Sequence, residues 1–200
     1  MRVTNARLAT AELAPDVGMA WLALAAIAVH DGDRETFRKF RRDVLTRFSD
    51  TPFLGPAAIA AILCTVLPAA PNELSAGLRL AERVAADGPG PGFAVQGYAP
   101  VALILGEYRR GNYTQALKQA TEFLKKPAIK LEVAAPWAML TVAMSQHQLH
   151  QPAEANITLT QARKWMALED HPLPLRWYIK TLEQALLREA EALIKGKPGP

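Results

Sequence analysis

The 200-residue chain has one cysteine, Cys64, so it cannot close an internal disulfide or assemble a cysteine-rich zinc site. Aromatic residues make up only 7% and β-branched runs are sparse, which leaves little to build strands from and makes helices the economical reading. The longest nearly uncharged N-terminal stretch, GMAWLALAAIAVH, residues 18 to 30, falls short of the ~20 residues that span a bilayer. The same stretch is a poor signal-peptide core. Glu12 and Asp16 spoil the cationic leader, and Asp31 stands where small cleavage-site residues belong. A buried helix is expected there, in a protein of the reducing cytoplasm with no membrane span. Charge of one sign is scarce too, the net value being +4. The densest basic cluster is RKFRRDVLTR, holding Arg38, Lys39, Arg41, Arg42 and Arg47. Phe37, Phe40, Val44, Leu45 and Phe48 stand between them at helical spacing, so the cations are expected on the solvated outer face of one helix. A nucleic-acid surface would need a matching stripe on neighbouring helices, and the next segment offers only Arg79 and Arg83 around Glu82.

What the chain does have is a period. GNYTQALKQATEFL, residues 111 to 124, pins a turn glycine and a helical alanine, and GDRETF, PNELSA and HQPAEA match it more weakly. The pinned positions Phe37, Ala76, Ala116 and Ala155 lie 39, 40 and 39 residues apart, with Gly32, Pro71, Gly111 and His150 at the turn. Each unit reads as two helices. The expected units are 17–50, 54–88, 97–127 and 134–168, after an N-terminal extension at 1–16. Asp31 to Asp33 reads as turn and cap rather than as a calcium loop, because the remaining acidic ligands are absent. Asn112 is placed to cap the rear helix of the third unit. Ala25, Cys64, Ile104 and Ala143, each twelve positions before a pinned site, read as residues that let paired helices approach, so Cys64 is expected in the core and not as a nucleophile. Residues 173–194 carry Leu175, Tyr178, Leu182, Leu186, Ala190 and Leu193 along one side and read as a capping helix, and 195–200 as a disordered tail.

Chemistry is thin. GPGPGF, residues 88 to 93, has three glycines, but Pro89 and Pro91 remove amide donors and no Lys-Ser/Thr pair follows, so it reads as a linker. His147 and His150 share a helical spacing without an acid or thiol on an adjacent turn, and His30 and His171 have no serine–acid partnership, so no metal, cofactor or catalytic residue is expected.

The G-N-Y-x-x-A opening at Gly111 and the Trp21-Leu-Ala-Leu-Ala-Ala stretch resemble the tetratricopeptide repeat (TPR). The period is longer than the ~34 residues of that repeat and nearer the ~40 of HEAT arrays. From Trp21 to Ile194 the segments also resemble the repeat region found C-terminal to the eukaryotic-like serine/threonine kinase domain of planctomycete-type bacterial proteins, although no kinase glycine loop, HRD or DFG stands in this chain. The resemblance implies an all-α chain: an α-solenoid of about four antiparallel helix pairs with a C-terminal capping helix. It implies a non-catalytic scaffold that holds a protein or peptide partner in a concave groove lined by the front helices. Carried onto this sequence, the groove positions are Tyr98, Val101, Tyr108 and Arg109 in the third unit and Trp137, Leu140, Met144 and His147 in the fourth. Tyr108 and Arg109 are expected to be exposed. Two other classes stay open: nucleic-acid binding through Arg38 to Arg47, and a homo-oligomer through the last helix, where Trp177 flanks the apolar side.

Overall fold

A computed structural model describes residues 17–87, 97–126, 134–168 and 177–196. These form α1 (Val17–His30), α2 (Arg34–Phe48), α3 (Leu54–Thr65), α4 (Pro71–Ala86), α5 (Ala99–Arg109), α6 (Tyr113–Leu124), α7 (Ala135–Gln148), α8 (Pro152–Leu168) and α9 (Trp177–Lys195). No strand occurs among the described residues, so the all-α expectation holds there. The N-terminal extension, the GPGPGF linker, Leu175 and residues 197–200 of the tail lie outside the described residues.

Turn chemistry sets the antiparallel pairing. Gly32, Gly111 and His150 all have positive φ, at 70°, 82° and 60°. The same two backbone bonds close each turn. Asp33 N–H donates to Ala28 O (2.9 Å), Asn112 to Glu107 O (2.9 Å) and Gln151 to Gln146 O (2.9 Å), while Gly32, Gly111 and His150 donate three residues back. This is a Schellman ending, and the left-handed residue lets the chain reverse at once into the next helix. The second unit departs: Pro71 is the first residue of α4, where its fixed negative φ suits a first turn and differs from the positive φ of Gly32, Gly111 and His150 at the matching position. Asp33 caps α2 by accepting from Thr36 N–H at 2.9 Å. Asn112 does not cap α6; its amide instead donates to Glu107 at 2.8 Å, holding the preceding helix end.

Each helix packs on its successor, and α1, α3, α5 and α7 also pack on one another in order. Of these front helices α3 is apolar on every side, and α7 is so over most of its length. From Ala57 to Val66 every residue of α3 and its end is buried, and so are Trp137, Leu140, Thr141 and Met144 of α7. A helix apolar all round must be covered all round. The rear helices α2, α4, α6 and α8 cover one side, using one buried stripe each: Leu74, Gly77, Leu78 and Ala81 in α4, and Ala116, Ala120 and Phe123 in α6. The stripes correct the register. Ala76 is only half-buried, whereas Gly77 with Ala81 repeats the Ala116 and Ala120 spacing, so the second pinned site is Gly77. An added Cβ on Gly77 would meet Cys64 Cβ at 2.4 Å, and one on Gly106 would meet Leu78 Cδ2 at 2.1 Å. Small residues at these two crossings let helix backbones approach.

Part of the other side of the front row is covered by α9. It packs on α1 and α7, the first and last of the row, and less on α8, burying Tyr178, Ile179, Leu182, Ala185, Leu186 and Ala190. The helix expected as a cap thus packs on both helices of the fourth unit and also reaches α1 at the other end of the front row, its apolar face meeting the side of α1 and α7 that no rear helix covers.

Candidate interaction surface

Of the residues assigned to a groove, Tyr98, Val101, Tyr108, Trp137, Leu140 and Met144 are buried in the core and not on open ground. Tyr98 and Trp137 stack with ring centroids 5.5 Å apart and an interplanar angle of 15°. Val101, Leu140 and Met144 are fully buried with them. His147 is half-buried at the end of α7, with a buried Nδ1 that meets no hydrogen-bond partner.

Tyr108 and Arg109, expected to be exposed, are not. Tyr108 is buried at 8% exposure, and its ring lies 5.4 Å from that of Tyr113. Burial first, and the nearby Glu189 carboxylate second, raise its phenol above the ordinary range. The Arg109 side chain is 8% exposed. Its Nε donates to Thr65 O at 3.1 Å and its Nη2 to Val66 O at 2.9 Å, so it satisfies carbonyls left over at the end of α3. The same guanidinium grips Glu189 of α9 through both carboxylate oxygens, Nη2 to Oε2 at 2.8 Å. A planar fork can hold two carbonyls and a carboxylate at once, which a lysine could not. Arg163 of α8 pairs with Glu191 of α9 and adds a second tie. Glu189 was the residue that sequence reasoning missed: it sits on the charged side of the last helix, and its partner is eighty residues away.

The basic cluster is also less free than its spacing implies. Arg38, Lys39, Arg42 and Arg47 are exposed, but Arg41 is buried at 2%. It donates to Pro68 O and Glu73, each at 3.1 Å, and its guanidinium lies 4.9 Å from the Phe37 ring centroid. Burial lowers its pKa, with the Glu73 carboxylate opposing that shift. Arg83 turns back to Ser49 O and Thr51 O at the end of α2. Two of the cations that a nucleic-acid face would use therefore serve helix ends.

Catalytic chemistry finds little material among the described residues. Cys64 is buried, and burial pushes its thiol up to about 12, so the thiolate that would act as nucleophile is not formed at neutral pH. No cluster of three or more His, Cys, Asp or Glu suited to a metal occurs among the described residues, and no described helix is long and apolar enough to cross a membrane.

No family model matches the chain, and no curated protein or solved structure matches it either.

Proposed function

We propose that the chain is a non-catalytic, TPR-like α-solenoid that binds other proteins through its row of front helices, as the repeat region of a bacterial cytoplasmic signalling protein such as a serine/threonine kinase. The observation that carries this reading is the cover on that row. α9 is a one-sided amphipathic helix seated on α1 and α7, with Arg109 reaching from the neighbouring α5 to hold Glu189. Helix-in-groove recognition uses the same ingredients, a buried apolar stripe for affinity and one oriented charge pair for register. The turn repeated at Gly32, Gly111 and His150 supports a repeat architecture behind the row. The partner is therefore an amphipathic helix that competes with α9 for the faces of α1 and α7 and for the Arg109 guanidinium.

The test uses a fluorescent peptide of residues 177–195 titrated into the full chain and into the Glu189→Lys chain. Reversing that charge loosens the resident helix, so the variant is expected to bind the peptide at least about tenfold more tightly than the wild type, which keeps its site filled. Equal failure of both chains to bind would remove the groove from the account. A second copy of the chain is the other reading that a specific observation favours, since Trp177 stays 45% exposed at the start of α9. Light scattering of wild type and Trp177→Ala separates the two.

A further inference from the structure

A cavity of about 780 Å³ opens between α2, the α1–α2 turn, the end of α3 and α9. Its size falls within the range of small-molecule sites. Four arginines line it: Arg34, Arg38 and Arg41 from α2, and Arg188 from α9. The three on α2 are separated by four and then three residues, which puts them on one face of the helix. Only two carboxylates share the lining, and both are engaged. Asp33 accepts from the Thr36 amide and hydroxyl at 2.9 and 2.6 Å, and Glu189 is held by Arg109. Arg41 is anchored by Glu73, yet its Nε is buried and meets no acceptor. Arg34, Arg38 and Arg188 make no ion pair with any described residue. Like charges three and four apart on a helix repel one another, so this cluster costs stability unless an anion sits among it. The rest of the wall is apolar, with Val29, Phe37 and Leu67 among its members.

We propose that this cavity binds an amphiphilic organic anion, its head taken by Arg34, Arg38 and Arg188 and its apolar body laid against Val29, Phe37 and Leu67. A free inorganic anion would leave the apolar wall unused, and a nucleic-acid backbone would not fit a walled space floored by Phe37 and Leu67. Because α9 contributes Arg188, Ala185 and Ala192 to the lining, an occupant also tightens the seat of α9 on the front row.

Decanoate is the probe, titrated by calorimetry into the full chain at low salt, with decanol and inorganic phosphate alongside. Decanoate is expected to bind and to raise the melting temperature. Decanol lacks the charge and phosphate lacks the apolar body, so each should bind at least about tenfold more weakly. Arg38→Gln with Arg188→Gln should weaken decanoate by about tenfold or more. Arg42→Gln, on the same helix outside the cavity, should leave it unchanged. Leu67→Trp, which fills the apolar end and keeps every arginine, should also abolish binding and so covers the case in which the double variant is poorly folded. Equal binding of decanol and decanoate, wild-type titration by the double variant, or no decanoate binding at millimolar concentration would each overturn the proposal.

Discussion

Replacing Gly77 with alanine puts a methyl carbon 2.4 Å from Cβ of Cys64 and 3.2 Å from its sulfur. Carbon atoms in contact keep about 3.5–4.0 Å, so α3 and α4 must part locally by roughly 1 Å or more. The obstructing atom is a Cβ, fixed to the backbone, and cannot swing aside. Nor can α3 retreat, because Ala57 through Val66 are buried on all sides. Overpacking of this kind costs about 1–3 kcal/mol and here should reach the upper end, while the change from glycine to alanine within a helix returns about 1 kcal/mol. The expected net loss is about 2 kcal/mol, which for a chain of this length lowers the melting temperature by about 4–8 °C. Thermal melts followed by circular dichroism read it directly. The diagnostic lies in two second-site changes. Adding Cys64→Ala removes the sulfur but keeps the offending Cβ, so Gly77→Ala should stay destabilising in that background. Adding Cys64→Gly removes the Cβ, and there Gly77→Ala should become stabilising. A Gly77→Ala chain that melts above the wild type, as an exposed helical glycine would give, refutes the close crossing and the corrected register together.

Three further outcomes follow from the same contacts. Arg109→Met removes the grip on Glu189 and the two carbonyl bonds at the end of α3, and is expected to cost about 2–3 kcal/mol in urea melts, because charge-assisted bonds of a buried guanidinium are lost. Coupling to Glu189→Gln in a double-mutant cycle should be clearly non-zero, and additivity would show that the pair is idle. Cys64 has its folded pKa raised from 9.0 to about 12, so the neutral thiol supports the fold fully below pH 9 and that support is lost as pH rises from 9 to about 12. In a Tyr108→Phe background, which removes the phenol whose pKa burial raises, stabilities from urea melts should fall through that window at up to about 1.4 kcal/mol per pH unit, and Cys64→Ala should make the fall shallower. The same decline with and without the thiol would contradict it. His150 holds φ at 60°, where Gly32 and Gly111 stand in the other turns, so His150→Gly should stabilise by about 0.5–1 kcal/mol, and a loss of stability would speak against the turn.

The helices were legible because their signals are local. Phe37, Phe40, Val44 and Phe48 announce α2 by spacing alone, and Gly111 announces its turn by the one residue type that takes positive φ freely. His150 was aligned with that glycine by position, and its conformation follows the alignment. The one-residue error at Ala76 arose because a matched alanine outweighed the buried pair of small residues, Gly77 and Ala81, beside it. The groove was harder. Trp137, Leu140 and Met144 belong to a helix that is apolar on every side, so periodicity could not say which side faces a partner and which faces the core. What decides it is α9, and the pairing of Arg109 with Glu189 spans eighty residues without any local trace. Arg41 shows the same limit. Its basic neighbours Arg38 and Arg42 are solvated, and only the fold brings Glu73 and the Pro68 carbonyl to it.

The proposed function requires α9 to be a docked helix, seated on the front row and able to exchange there. It is tested most directly by inserting a site-specific protease sequence between residues 169 and 176, cutting the folded chain, and measuring exchange of the released segment against a labelled 177–195 peptide. The cut chain should keep its helical signal and hold the segment with micromolar affinity, and a Glu189→Lys peptide should replace it poorly. If the cut chain unfolds, or if the segment leaves and neither peptide returns, α9 is not an exchangeable occupant of a binding surface.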